Sequence, residues 1–306
     1  AGRSTSNLGL FIEDEWQSGP LTLTGGRRAE HTRIADGFFR AVQPDGTVVA
    51  DTLEPDRSDW ALNWRAGALF YASRRLELRG AAYTGIRLPT LNELYRPFVV
   101  FPVVTQANAE LENERLQGFE LGFDWYPTKE IGLSVTAFDN RVENAIANVT
   151  LQPNLRQRQN LPAIDAQGIE ATGFVVLGKF SLDASLAYTD ATIDGRDASV
   201  ALDGNRPPQT PDFAASATLA WRPAQGWRFA GTLRHTAAQF EDDQETDRLP
   251  PATTVDLFAT APLFNGVSAV LRAENLLDEE IVTRNSRGAI DLGVPRTIWG
   301  GVRVNF

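Results

Sequence analysis

Residues 119–125 place Phe119, Leu121, Phe123 and Trp125 at odd positions and Glu120, Gly122 and Asp124 at even ones. Side chains two apart share a face only in extended chain, so this stretch is a strand with one oily face and one charged or tiny face. The same period recurs in Ile131, Leu133 and Val135 against Gly132, Ser134 and Thr136, and in Phe180, Leu182, Ala184, Leu186 and Tyr188 against Ser181, Asp183 and Ser185. Near the end, Val267, Ala269, Leu271 and Ala273 oppose Ser268, Arg272 and Glu274. A membrane-crossing helix needs about 18 apolar residues in a row. The longest uncharged run, 257–271, is broken by Pro262, Asn265 and Gly266. What remains is a soluble β protein or a barrel whose strands each carry a weak alternating signal.

This period predicts about 13 strands, near 7–16, 20–31, 59–72, 75–87, 115–126, 130–143, 167–177, 179–191, 212–222, 226–237, 252–261, 266–275 and 296–306. Tight turns (QSG, SR, PTK, G, PAQ, PLFN) alternate with polar stretches of roughly 14 to 27 residues, so every hairpin is short on one side and long on the other. A soluble sandwich gives no reason for that asymmetry, whereas outer-membrane barrels have short periplasmic turns and long extracellular loops. Large aromatics crowd the short-turn side: Trp16, Trp125, Tyr126, Trp221, Trp227, Phe264 and the terminal Phe306. Rings prefer headgroup level, so these residues form an interfacial girdle. If Phe306 ends at the periplasm, an odd strand count makes the first strand start outside. Closure with an even number of strands then requires strands upstream of Ala1.

Composition narrows the function. Cys 0 removes disulfides and thiolate chemistry, His31 and His235 are the only histidines, and a net charge of −10 argues against nucleic-acid binding. With Met 0 and no apolar leader, Ala1 is expected to be the start of a mature or internal piece.

Particular segments carry a family resemblance. GIRLPTLNELY at 85–95 resembles the GFRAPxxxELY segment of TonB-dependent outer-membrane receptors. NAELENERLQGFELGFDW resembles that family's NPNLKPE…GxExG segment, with Asn108, Leu111, Glu114, Gly118 and Glu120 matching and Ala109 and Asn113 standing in place of two prolines. LGLFIEDEW, QGIEATG, ENLLD and PRTIWGGVRVNF resemble further barrel strands in family order. The resemblance implies an all-β, antiparallel transmembrane barrel of about 22 strands, of which 1–306 is a single C-terminal barrel region. Plug domain and coupling peptide are expected elsewhere in the receptor. It further implies an active importer, not an enzyme, in the outer membrane of a Gram-negative bacterium. Iron-siderophore or a similar scarce chelate leads as cargo, with cobalamin or a saccharide as alternatives. Expected partners are outer-membrane lipid, the plug and upstream strands, a TonB-type energy-coupling complex, the barrel-assembly machinery and the small-molecule chelate. No cofactor, metal or nucleic acid is expected. The rivals are a passive porin, which an odd strand count opposes, and an outer-membrane hydrolase barrel, which needs a paired Ser and His.

Candidate sites follow from placement. Arg87 tops an ascending strand and Glu93 accepts from Arg87 or Arg96, as a structural clamp or a ligand contact. The run PFVVFPVV at 97–104 is apolar in a loop facing water, so Tyr95, Phe98 and Phe101 either meet a greasy ligand or are buried by neighbouring loops. Arg65, Arg79, Glu120, Asp124, Arg228, Arg234, Arg272, Glu274 and Arg303 are assigned to the lumen, where they pair with one another or hold the plug. The acidic run EDDQETD at 241–247 lacks a spaced Ca²⁺ pattern and reads as a solvated loop. Both histidines read as structural. Ile298, Val302, Val304 and Phe306 share one face of the last strand, which resembles an assembly signal. Selectivity is expected in loops at 88–114 and 144–166.

Overall fold

The structure, a computed structural model, describes residues 2–286 and 288–304. All thirteen expected strands form and pair in chain order: β1 (Gly2–Ser18), β2 (Leu21–Val42), β3 (Arg57–Ser73), β4 (Leu76–Arg87), β5 (Glu114–Thr128), β6 (Ile131–Gln152), β7 (Leu155–Leu177), β8 (Phe180–Asp194), β9 (Phe213–Trp221), β10 (Arg228–Thr236), β11 (Ala252–Phe264), β12 (Val267–Glu274) and β13 (Thr297–Val304). Every neighbouring pair on this path is antiparallel. Among the described residues β1 and β13 each pair on one side alone, so the sheet is open.

Register sorts the two faces, because residues directly opposite in an antiparallel pair point the same way. Leu78, Phe123, Val135, Ala171, Leu186, Ala215, Leu233, Val255 and Ala273 belong to one face; Leu78, Leu186 and Leu233 are exposed and the other large side chains half-buried, because no second layer of described residues covers them. In water such a surface would be an aggregation liability; in a membrane barrel it is the lipid-facing band. Trp16, Trp125, Phe180, Trp221 and Phe264 ring its short-turn end, and Trp60 and Tyr188 stand near its other end. Two-residue turns close the short side at Gly19–Pro20, Gly178–Lys179 and Asn265–Gly266, each with its glycine at positive φ, a backbone conformation strained for any L side chain.

A one-layer wall with lipid on one side and a polar space on the other leaves little room for a core in the band. The two clusters of buried apolar side chains lie instead at the long-loop end. There the structure departs from the sequence reading. Residues 144–166 are not a free loop: β6 and β7 run on as a paired hairpin, turning only at Pro153 and Asn154. Above the band polar and apolar residues mix on both faces, as with Ile146 opposite Asn160 and Ala145 opposite Leu161, so no face reads as uniformly apolar while the backbone ladder continues. For the same reason β2 runs on to Val42, paired with the strand Val48–Glu54.

Candidate functional site

The connection between β4 and β5, residues 88–113, folds inward as a plate. It begins with the helix α1 (Leu91–Tyr95), opened by a capping box in which Thr90 Oγ1 accepts from the Glu93 N–H at 3.3 Å and Glu93 Oε2 accepts from the Thr90 N–H at 2.6 Å. The same Glu93 carboxylate takes Arg87 Nη1 at 3.1 Å, and Arg87 Nε also donates to Glu114, closing both ends of the plate onto one arginine. Burial pushes the Glu93 carboxyl up, but the Thr90 N–H, the Arg87 guanidinium and the Thr90 hydroxyl outweigh it and hold the carboxyl below its ordinary value. Arg96 is exposed and makes no ion pair among the described residues.

Beyond the helix the plate docks on the inner face of the wall. Leu111, 0% exposed, and Leu94 pack with Ile34 of β2. Arg57 Nη1 donates to the Leu111 carbonyl at 2.6 Å, and Asn113 Nδ2 to Asp59 at 2.8 Å. Tyr95 is 4% exposed and sits against Gly37, where any Cβ would lie 2.9 Å from its ring, so it is a packing residue and not a surface contact for ligand. Phe98 is half covered beneath Arg158, whose guanidinium stands 4.9 Å from the ring. Phe101 is 86% exposed and, with Val99 and Val100, forms an apolar lip. The lip is held by strand pairing: Phe98–Val100 pairs with Val103–Gln106, which runs parallel to β7 at Leu155, Arg156 and Gln157.

Neighbouring loops lock onto this plate. Asp243, 1% exposed, accepts from the Thr150 N–H at 2.8 Å and its hydroxyl at 2.5 Å, while the Asp243 carbonyl accepts from Asn205 at 3.0 Å. Asp242 accepts from Thr246 and Asp247; burial pushes its carboxyl up, and those bonds, with the charge of Arg156, bring it below its ordinary value. The acidic run is therefore not a solvated loop: its central carboxylates are internal caps that accept from the backbone N–H groups of Thr150, Thr246 and Asp247. Asn285 then donates to the Arg248 carbonyl at 3.2 Å, and Arg284 to the Phe101 carbonyl at 3.3 Å.

Below this rim the inner face is polar. Arg79 bonds Asp124 at 3.0 Å and Thr136 at 2.6 Å, lying flat across Gly122, where a Cβ would come within 2.5 Å of the Val135 carbonyl. Tyr83 donates to Glu120 at 2.6 Å. Arg65 pairs with Glu13, Arg234 with Asp256, and Arg272 with Glu274 at 2.5 Å. Arg228 lies 5.8 Å from the Phe258 ring, and Arg272 5.9 Å from that of Trp299. The register puts Arg303 on this same face. Ile298, Val302 and Val304 lie on the opposite, apolar face, and Phe306 is outside the described residues. His31 packs on Trp60 at 4.7 Å and His235 Nδ1 meets Thr253 Oγ1 at 2.8 Å, both on the outer face. Sequence reasoning did not single out Arg57, Asp59 or Arg158, and took Asp243 only as part of a solvated acidic run, since no local pattern reveals partners so distant in the chain.

A one-layer antiparallel wall, apolar outside, polar inside and roofed at one end by docked loops, is the architecture of a membrane β-barrel wall. The family model described as TonB dependent receptor-like, beta-barrel matches residues 1–276, and the chain belongs to that family. TonB-dependent receptors are outer-membrane β-barrel proteins. The chain is 24% identical over 290 residues to the vitamin B12 transporter BtuB of Photobacterium profundum, covering 92% of this chain and 43% of that protein. In structure it resembles the ferric yersiniabactin uptake receptor FyuA from Yersinia pestis, with TM-score 0.80, 15% identity, and coverage of 99% of this chain and 46% of the other. It also resembles the copper transporter OprC, with TM-score 0.81, 20% identity and coverage of 99% and 48%. The chain spans less than half of each of these proteins.

Proposed function

We propose that this chain is the greater part of the barrel wall of an outer-membrane active importer, and that the roofed rim selects a scarce metal chelate of the iron-siderophore type. The observation that carries the reading is the exposed lip Val99, Val100 and Phe101, fixed by strand pairing at the mouth of an otherwise polar space. A rigid apolar lip suits a ligand with aromatic or greasy parts, and a passive pore has no need of one. Relatives named for ferric yersiniabactin, copper and vitamin B12 support a transported nutrient and leave cobalamin as the alternative cargo. In this reading the long loops face outside and the short turns face the periplasm. The paired charges of the inner wall meet a plug supplied by the rest of the receptor, and strands from that same part cover the open edges of β1 and β13. A TonB-type complex drives uptake, and the barrel-assembly machinery inserts the wall. The protein is a transporter and not an enzyme.

Exchanging 88–114 together with 144–166 into a related receptor tests the proposal. Uptake of ferric chelates and cobalamin should follow the exchanged segments; unchanged preference would move selectivity to the lumen or plug.

A further inference from the structure

One rung of the lipid-facing band breaks its chemistry. On β1 the outward row reads Leu8, Leu10, Ile12, Asp14 and Trp16, and on β2 it reads Leu21, Leu23, Gly25, Arg27 and Ala29. Arg27 stands directly opposite Ile12 on one side and Trp64 on the other, and Asp14 stands opposite Gly25, one rung nearer the short turns. Both charged residues are exposed, and among the described residues neither makes an ion pair. Arg27 lies four residues above Leu23, which stands opposite the girdle residue Trp16, about 10 Å along the barrel axis for a strand tilted by about 40°. That is well inside a hydrocarbon band about 25 Å tall, where a lipid-facing arginine without a partner is strongly unfavourable.

The surface beneath these two residues is hollow. Gly25 and Ala66 face each other at its floor, a Cβ on Gly25 would touch nothing within 4 Å, and an open depression of about 590 Å³ is lined by Ile12, Asp14, Arg27 and Trp64 together with the neighbouring Glu13, Gly26 and Arg65. An arginine opposite a tryptophan in register, with a carboxylate one rung below, is complementary to a group carrying a phosphate and an ammonium together: the phosphate accepts from Arg27, and the ammonium meets Asp14 and the Trp64 ring. We infer that this notch binds the zwitterionic headgroup of an ethanolamine phospholipid from the leaflet on the short-turn side, drawn up past the Trp16 girdle. The inference rests on the apolar face being lipid-facing. It accounts for opposite charges two residues apart in register with no ion pair between them; the Asp14 carboxylate accepts from the Glu15 N–H at 3.0 Å.

The test adds phosphatidylethanolamine, phosphatidylglycerol or diacylglycerol of matched chains to the detergent-solubilised complete receptor and counts retained lipid by native mass spectrometry. Phosphatidylethanolamine should be retained about tenfold more than diacylglycerol, the size of one charge-assisted hydrogen bond. Arg27→Gln should bring it to the diacylglycerol level, and Asp14→Asn should erase its preference over phosphatidylglycerol. Removing a charge from a lipid-facing row favours folding, and a heat-modifiable mobility shift confirms that each variant is folded. Equal retention of all three lipids, or retention unmoved by Arg27→Gln, overturns the headgroup site while leaving the lipid-facing wall intact. Failure to retain even diacylglycerol would overturn the wall assignment itself. A protein that co-purifies with the wild type and is lost with Arg27→Gln, the lipid profile being unchanged, would assign the notch to a protein partner and overturn the lipid.

Discussion

The Arg284 guanidinium donates to the Phe101 carbonyl at 3.3 Å across 183 residues of chain. This bond joins the loop after β12 to the plate after β4, and with the bonds Thr150–Asp243 and Asn285–Arg248 it completes a circuit of loops around the mouth. Among the described residues this link is one exposed hydrogen bond. Arg284 also pairs with Asp291, so the guanidinium is pre-oriented toward the lip.

Arg284→Ala should therefore uncouple the two loops without disturbing the wall. A single exposed bond contributes about 0.5–1.5 kcal/mol, so the global melting transition should hardly move. Spin labels at Val99 and Ile290 should report a wider distance distribution. An unchanged distribution would mean that strand pairing alone fixes the lip.

Leu111→Ala should act differently, because Leu111 is fully buried where the plate meets Ile34 and Leu94. A cavity of that kind costs about 2–5 kcal/mol. The loss should fall on the plate, seen as hydrogen exchange accelerated across 88–113 while the strands β3 to β8 stay protected.

The circuit shows where the sequence is legible and where it is not. Thirteen strands were readable because the apolar band imposes a period of two on each. The hairpin of β6 and β7 was hidden above residue 143, since pairs such as Arg158 with Asn148 carry no contrast between faces. Arg87 and Glu93 were readable because the strand pattern ends at Arg87 and Glu93 follows only six residues later in the same GIRLPTLNELY segment. Arg57 with Leu111, 54 residues apart, and Thr150 with Asp243, 93 apart, depend on how loops land on the wall, which no local period encodes.

The Glu93 carboxylate gives the plate a pH dependence whose sign is fixed. Its folded pKa lies below the unfolded value of about 4.3, so its contribution is complete above that value and is lost as pH falls through the folded pKa. Protection of 88–113, corrected for intrinsic exchange, should be flat from neutral pH down to about 5 and should decline below about 4. Glu93→Gln should lower protection at neutral pH and reduce the acid response. If the variant shows the same acid profile as the wild type, another carboxylate controls the plate.

The last strand offers a ruler for depth. Ile298, Gly300, Val302 and Val304 share the apolar face, and Thr297, Trp299, Gly301 and Arg303 the other. Val304 stands opposite Val267 beside the short turn, whereas Ile298 stands six residues higher, opposite Ala273. An arginine on a lipid face costs about 2–4 kcal/mol at the midplane and about 0–1 near the interface. In the complete receptor, Ile298→Arg should reduce the folded fraction most, Val302→Arg less and Val304→Arg least, measured by equilibrium unfolding in bilayers. Arg303→Gln, on the inner face, should leave folding nearly unchanged. A flat series, or a reversed one, would show that the apolar face of this strand does not meet lipid along its length.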